Sequence, residues 1–452
     1  MSYLRGLQLA DLSPELLAIL MLGGVLLGVF LGYPLAIVVG AVGLLVGFLV
    51  FGDGATPLIY DRLFTQINNY TLLAIPLFVF MGVMLESSGI TDRLYDSLYV
   101  LLGGFHGGLA VATILIGTVM AACVGIVGAS VTMLALVALP SMLSKGYDKA
   151  LACGSVCAGG TLGQLIPPSI LLVIYGPMAL VSVGKLFMGA FIPGFILSTL
   201  YCLYVAVRCR LHPELAPVVS LEERAIPARV KTQMLLKSLL PPLLLILAVL
   251  GTIFFGIAPP TEAAAVGAFA ATILAIIYRS FSLQVLRQVA ERTFRVAAMI
   301  MLIGALSFAF TGVFLGAGCG KAVEALILAA PGGRWGAFAL VMLIMFLLGF
   351  FIDVIGIIFI IVPIVAPLAP ALGFDPLWFG MMIMINLQMA FMTPPFAVTI
   401  FYLRGIVKPE WGVTMGDIMR GVMPFVFLII IGLVLCTLFP ELITWLPGKM
   451  IR

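Results

Sequence analysis

Two Pro-Pro pairs stand inside stretches that otherwise read as apolar helix. Pro167-Pro168 interrupts Gly163-Gln164-Leu165-Ile166-Pro167-Pro168-Ser169, and Pro394-Pro395 interrupts Phe391-Met392-Thr393-Pro394-Pro395-Phe396. Proline lacks an N–H, and its ring collides with the carbonyl one helical turn back. Pro167 and Pro168 therefore free the carbonyls of Gly163 and Gln164. Pro394 and Pro395 free those of Ala390 and Phe391. Unwound carbonyls are hard oxygen ligands for a small cation. The half-helix beyond each break aims its N-terminal N–H groups into the same region, where a carboxylate is favoured. One break can thus hold Na⁺ and an anion side by side.

Other polar residues gather near these breaks in sequence. The segment Gly125-Ile126-Val127-Gly128-Ala129-Ser130 carries two glycines and a hydroxyl; Phe351-Ile352-Asp353-Val354-Ile355-Gly356 carries an acid and a glycine. Glycine permits a tight non-helical tip. Asp353 is an ionisable residue within an apolar run, the kind of position that marks a functional site in a membrane. The competing reading is a helix N-cap. Ser130 carries the same two readings. Thr161, Gln164, Asn386, Gln388, Thr393 and Thr399 flank the breaks and either face a cavity or bond between helices. Glu262, in Pro259-Pro260-Thr261-Glu262, fits a helix dipole at its N-terminus. Of the other two Pro-Pro pairs, Pro241-Pro242 is expected near the start of a span and Pro259-Pro260 in a loop.

The elements that hold these residues must be membrane helices. The chain has 452 residues, of which 63% are hydrophobic and 9% charged, at a mean hydropathy of +1.27. Soluble proteins are about a quarter charged. Apolar runs reach the length of about 20 residues that spans a bilayer as helix, and the weak alternation argues against a β-barrel. The seven cysteines show neither a disulfide framework nor metal spacing, and His106 and His212 fall in predicted loops. The first apolar run, near Leu16, leads at once into a second, so an uncleaved first span is expected.

The expected spans of the first half are 16–31, 34–51 and 70–88, then a hairpin of shorter pieces within 107–144, a Pro-broken helix at 149–179, and 186–208. The second half repeats the order: 236–257, 260–279, 296–316, a hairpin within 333–370, a broken helix at 377–404, and 420–440. The register is visible residue by residue. Pro167-Pro168 and Pro394-Pro395 are separated by 227 positions (394 − 167), and at that offset Pro140 meets Pro367 and Gly146-Tyr147-Asp148 meets Gly373-Phe374-Asp375. The fold class is therefore an all-α polytopic membrane protein of two repeats. The expected division is 1–210, a basic cytoplasmic linker at 211–235, and 236–452.

A re-entrant hairpin adds an even number of crossings, so each half crosses an odd number of times and the second is inverted. With the N-terminus outside, 16 of the 23 Lys and Arg fall inside, among them Arg208, Arg224 and Arg420. That satisfies the positive-inside rule and places both termini in the periplasm. Paired broken helices in inverted halves point to alternating access in a secondary transporter.

The chain resembles the large membrane subunit, DctM-like, of tripartite ATP-independent periplasmic (TRAP) transporters. The resemblance rests on Leu73-Ala74-Ile75-Pro76-Leu77-Phe78, Gly146-Tyr147-Asp148, Ile166-Pro167-Pro168-Ser169, Pro259 to Ala265, Phe351 to Pro367 and Thr393-Pro394-Pro395. It implies an elevator-type transport domain of hairpins and broken helices, driven by Na⁺ at two or more sites. It implies three partners: a small four-helix membrane subunit (DctQ-like), a periplasmic substrate-binding protein (DctP-like), and an organic acid brought by the latter, all at the bacterial inner membrane. The small subunit is expected as a separate chain. Carried over by position, the Na⁺ ligands are sought among Gly125, Gly128, Ser130, Thr161, Gly163, Gln164 and Pro167, and among Asp353, Gly356, Gln388, Ala390, Phe391, Thr393 and Pro394. Substrate contacts are expected from Ser130, Ser169, Asn386, Thr393 and Thr399. The first tip has fewer hydroxyls than the Ser-rich tip of many family members.

Three other readings bear on function. A stand-alone Na⁺/dicarboxylate or citrate symporter shares the architecture but needs no soluble partner. An intramembrane enzyme needs a nucleophile–base or metal set at membrane depth, which the sequence does not supply. A channel would not need paired broken helices.

Overall fold

The computed structural model describes residues 12–125, 127–220, 226–394 and 397–450. Ile126 of the first tip, Pro395 and Phe396 of the second break, and Arg224 of the linker lie outside the described residues. Every regular element among the described residues is helical, and nine of these helices are long and apolar enough to cross a membrane.

The first half runs α1 (Pro14–Phe30), α2 (Leu35–Phe51), α3 (Ala55–Ile67), α4 (Ala74–Ser87) and α5 (Ile90–Leu102). A helical hairpin follows, α6 (Gly108–Val124) and α7 (Val127–Ser144), then the broken helix α8 (Lys149–Thr161) and α9 (Ile170–Ala179), and α10 (Val183–Leu211). The second half runs α11 (Ala228–Phe254), α12 (Pro260–Ile277), α13 (Leu283–Gly316) and α14 (Cys319–Leu328). Its hairpin pairs α15 (Gly333–Leu348) with three short helices, α16 (Val354–Ile360), α17 (Val362–Val365) and α18 (Leu368–Ala371). The broken helix is α19 (Pro376–Met392) and α20 (Val398–Ile406), followed by α21 (Met415–Leu438) and a short turn, α22 (Glu441–Thr444). The order of the first half recurs, with α13 in the place of α3 and α4 together.

The repeated Gly-aromatic-Asp motif starts each broken helix. Gly146 and Gly373 turn the chain at φ of 78° and 72°, a left-handed conformation that glycine adopts without strain. The aspartate then caps the helix: Asp148 Oδ1 accepts from Leu151 N at 2.8 Å, and Asp375 Oδ1 from Leu377 N at 2.8 Å. The aromatic residue ties the helix to its hairpin. The Tyr147 hydroxyl accepts from Leu109 N at 3.2 Å, and Phe374 stacks on Trp378 beside Trp335 of α15.

Small residues set the packing of the first broken helix. A Cβ on Gly154 would lie 2.1 Å from the carbonyl oxygen of Gly421, and one on Gly117 would lie 2.6 Å from Gly159 backbone. Backbone thus meets backbone at α8–α21 and α6–α8, the close approach that small residues allow between membrane helices. The second half solves the same contact differently: Asn386 Nδ2 donates to Met342 O at 2.7 Å.

Each hairpin also packs across the repeat. α7 lies on α20, and α16 on α9 and α13. Around this unit, α2, α3 and α4 pack on α13, and α4 on α12.

Several elements differ from the expected spans. The second hairpin returns in three pieces because Pro363, Pro367 and Pro370 each remove a backbone donor. α13 begins at Leu283 rather than 296: Ser282 accepts from Val285 N at 3.1 Å, and the polar turns that follow lie outside an apolar count. α11 begins at 228, so Pro241-Pro242 sits inside the helix rather than near its start. Pro259 caps α12 and Pro260 is its first residue, positions where the missing N–H costs nothing. α3, α5 and α14 were not expected. Their polar faces keep their apolar content below that of a span.

Candidate functional site

Both breaks fall where proline chemistry requires. α8 ends at Thr161, passes through a tight turn at Leu162–Gln164, and α9 restarts at Ile170. Gly163 and Pro167 lie in this buried connection. α19 ends at Met392, and α20 restarts at Val398 after an extended Thr393 and a turn at Pro394. Neither restarting half-helix has a side-chain cap at its N-terminus. Their first N–H groups are therefore left for another acceptor.

Two of the freed carbonyls are bonded within the protein. Ser169 Oγ donates to the Gln164 carbonyl, and Thr399 Oγ1 donates to the Phe391 carbonyl at 2.9 Å. In each half a hydroxyl just past the break replaces the N–H that proline removed, the re-satisfaction a broken membrane helix needs. Thr393 Oγ1 donates to Met389 O at 2.9 Å. With the Asn386 amide on Met342, these bonds direct Ser169, Asn386, Thr393 and Thr399 at internal carbonyls.

The interior beside the breaks holds polar atoms with no partner. They are Ser130 Oγ, Gln164 Oε1 and Nε2, and Gln388 Oε1, all on residues at most 1% exposed. Contacts bring them around one turn. Gln388 Nε2 reaches Thr161 Oγ1 at 3.5 Å, a pair of residues 227 positions apart and thus equivalents of each other in the two halves. Gln164 follows Thr161 by three residues. Ser130 precedes Val131, whose side chain a Cβ on Gly160 would meet at 2.4 Å. Thr161 Oγ1 itself donates to Ala158 O at 2.9 Å. An unsatisfied buried polar group costs about 1–3 kcal/mol. Buried oxygens without a partner are the kind of donor a hard cation uses. Among the described residues no group of three or more His, Cys, Asp or Glu is placed to hold a metal, so carboxylate- or thiolate-rich metal sites are not the pattern here.

The two hairpin tips meet across a cavity of about 380 Å³. Gly125 and Gly128 line it from the first tip and Asp353 and Ile355 from the second; Ile170 and Val398 bring the uncapped ends of α9 and α20. Leu35 of α2 and Ile300 and Ile303 of α13 close it from outside the hairpin unit. Gly125, at φ 63°, lies against the first break: a Cβ there would be 3.4 Å from Pro168 O. At the second tip, a Cβ on Gly349 would strike Ala390 Cβ at 2.4 Å, and one on Gly356 would strike Leu35 at 2.1 Å.

Asp353 caps a helix and also borders the cavity. Its Oδ2 accepts from Ile355 N at 3.2 Å at the start of α16. None of the five residues expected to contact substrate lines this cavity. Tyr402 does, and sequence reasoning missed it. The signal was present in the repeat: the offset of 227 pairs Tyr402 with Tyr175. The two tyrosines part in burial. Tyr175 is 1% exposed against Gly380, whereas Tyr402 is 46% exposed, with its ring 2.6 Å from where a Gly128 Cβ would stand.

A bundle of spanning helices, two of them broken beside one cavity that both hairpin tips line, has the architecture of a multi-pass membrane transporter. The solved structure of the Alcanivorax borkumensis YdaH transporter superposes with a TM-score of 0.62 over 86% of this chain and 89% of that one, at 16% identity, a likeness of fold. Residues 22–442 match the family described as the tripartite ATP-independent periplasmic transporter, DctM component. The C4-dicarboxylate TRAP transporter large permease protein DctM of Vibrio cholerae is 31% identical over 462 residues, covering 96% of this chain and 98% of its own. The protein of that name in Pseudomonas aeruginosa is 31% identical over 403 residues, covering 88% of this chain and 91% of its own. The chain belongs to the DctM family of TRAP transporter large permeases.

Proposed function

We propose that this permease imports an organic acid by coupling to Na⁺, taking the acid from a periplasmic binding protein and moving it by an elevator motion. The observation that carries this reading is the shared cavity. It joins both hairpin tips and the uncapped N-termini of α9 and α20, and the same hairpin and broken helices carry the unpartnered buried oxygens of Ser130, Gln164 and Gln388.

The division of labour follows from the chemistry. Na⁺ enters as co-substrate. At the first site Ser130, Thr161 and Gln164 supply neutral oxygens, with Gly125, Gly128, Gly163 and Pro167 shaping the turn. At the second site the Asp353 carboxylate and Gln388 Oε1 serve, with Gly356, Ala390, Phe391, Thr393 and Pro394 around them. The acid's carboxylate binds the N–H groups at Ile170 and Val398, where helix dipoles favour negative charge. Tyr402 is the hydroxyl placed to orient it.

Scaffold residues Leu35, Ile300 and Ile303 form one wall of the cavity and the hairpin unit forms the others. A rigid shift of that unit past the scaffold would open the same cavity to the opposite side. The distribution of Lys and Arg supports a periplasmic N-terminus in the inner membrane of a bacterium. A DctQ-like small subunit and a DctP-like soluble protein complete the system.

The test that separates this reading from a stand-alone symporter is reconstitution with and without the soluble protein. The permease with its small subunit, in liposomes under an inward Na⁺ gradient, is expected to accumulate acid only when the loaded binding protein is outside. Accumulation of free acid at the same rate without that protein would favour the stand-alone symporter.

A further inference from the structure

The last turns of α10 carry a site that the transport reading does not use. A polar cavity of about 210 Å³ lies where the start of α8, the end of α10 and the start of α21 converge. Its charged residues are Asp148, Arg208, Asp417 and Arg420. The two acids are engaged at helix ends. Asp148 Oδ1 caps α8, and Asp417 Oδ2 accepts from Thr414 N at 2.9 Å and Thr414 Oγ1 at 2.7 Å in a capping box. Among the described residues no carboxylate lies within ion-pair distance of Arg208 or Arg420, although Asp417 and Arg420 attract each other at longer range. Arg208 instead donates to the Tyr204 hydroxyl.

An apolar groove opens directly from this cavity. It has a volume of about 720 Å³ and shares Tyr204, Arg208 and Leu215 with the polar cavity. Its wall is Leu200, Leu203, Val207 and Leu211 of α10 with Leu428 of α21, and His212 and Glu214, paired with each other at 3.2 Å, line its polar end. Leu203 is 57% and Leu211 71% exposed. A further hollow of about 420 Å³ shares Leu200 and extends the groove to Phe191. At 1.5 Å per residue, the path from Arg208 to Phe191 is about 25 Å long, more than the depth of one leaflet's hydrocarbon, about 15 Å.

We propose that this face of α10 is a binding site for an anionic phospholipid. The phosphate diester sits between Arg208 and Arg420, neither of which has a carboxylate within ion-pair distance among the described residues. An acyl chain follows Leu203 and Leu200 toward Phe195. Guanidinium is suited to phosphate by its planar, weakly hydrated donor fork. The lipid would join α8, α10 and α21 at their common end. Those helices carry the first break and abut the second, so the site is placed to bear on the domain that holds the cavity.

Native mass spectrometry of the delipidated protein offered phosphatidylglycerol or phosphatidylcholine of identical chains tests this. Wild type is expected to retain the anionic lipid about tenfold better, as charge-assisted phosphate contacts warrant. R208Q/R420Q should lose that preference, while R295Q, an exposed arginine on α13, should keep it. L203W should weaken retention of long-chain phosphatidylglycerol without touching the charges. Unfolding temperature without added lipid serves as the folding control. Equal retention of the two lipids by wild type, or an R208Q/R420Q variant that is folded and keeps the preference, overturns the proposal. So does displacement of the lipid by millimolar inorganic phosphate, which would mark a free-anion site.

Discussion

Gln388→Leu separates a cation site from a badly packed core. Gln388 Oε1 is buried without a partner, and Nε2 has only a long contact of 3.5 Å to Thr161 Oγ1. Leucine preserves most of the volume and removes the unsatisfied group, so without Na⁺ the variant should be as stable as wild type or more stable, by up to about 1 kcal/mol. With Na⁺ the outcome reverses. Losing one charge-assisted oxygen contact costs about 1.5–3 kcal/mol, which raises the Na⁺ half-saturation about 10–100-fold. Wild type at a hundred times its dissociation constant gains about 2.7 kcal/mol from binding, and the variant should lose about 1.3–2.3 kcal/mol of that gain. The assay is thermal unfolding of the purified permease in NaCl against choline chloride at equal ionic strength. A folded Gln388→Leu protein with the full Na⁺-dependent rise in Tm refutes the assignment of Gln388.

Three further outcomes are expected. Asp353→Ala should weaken the Na⁺ dependence of uptake and, through the lost cap on α16, cost about 1 kcal/mol of stability; Asp353→Asn should restore the cap but not the Na⁺ dependence, as read by uptake against Na⁺ concentration and by Tm. Gly128→Val places a branched side chain on Tyr402, whose Cζ lies 2.6 Å from the built Cβ; transport should fall sharply, with overpacking costing about 1–3 kcal/mol, and Tyr402→Ala in the same chain should recover stability. Asn386→Leu should lower Tm by the loss of its bond to Met342 O, about 1 kcal/mol, while leaving the Na⁺ half-saturation unchanged.

The breaks, tips and repeat were legible because proline and glycine act locally. A proline deletes a particular hydrogen bond wherever the chain goes, so Pro167 and Pro394 mark the ends of α8 and α19 without tertiary knowledge. Side-chain direction was not legible. Whether Asn386 faces a cavity or α15 depends on which helix lies beside it, and the periodicity of an all-apolar helix carries no such information. The same limit hid Ser169 and Thr399, whose hydroxyls repair the carbonyls freed in their own breaks. Tyr402 was recoverable from the repeat, since Tyr175 stands at the equivalent position. Its exposure to the cavity was not, because it follows from the packing of α20 on the first hairpin. α3, α5 and α14 escaped because each is short and carries polar residues on one face, which an apolar count averages away.

Na⁺ is proposed to drive transport through the cavity between the two tips. The most direct test is uptake of labelled acid by liposomes holding the permease and its small subunit, with loaded binding protein outside and the membrane potential clamped. Accumulation that requires an inward Na⁺ gradient and collapses when that gradient is dissipated is the predicted result. Equal accumulation in Na⁺-free buffer at the same potential would rule out Na⁺ coupling.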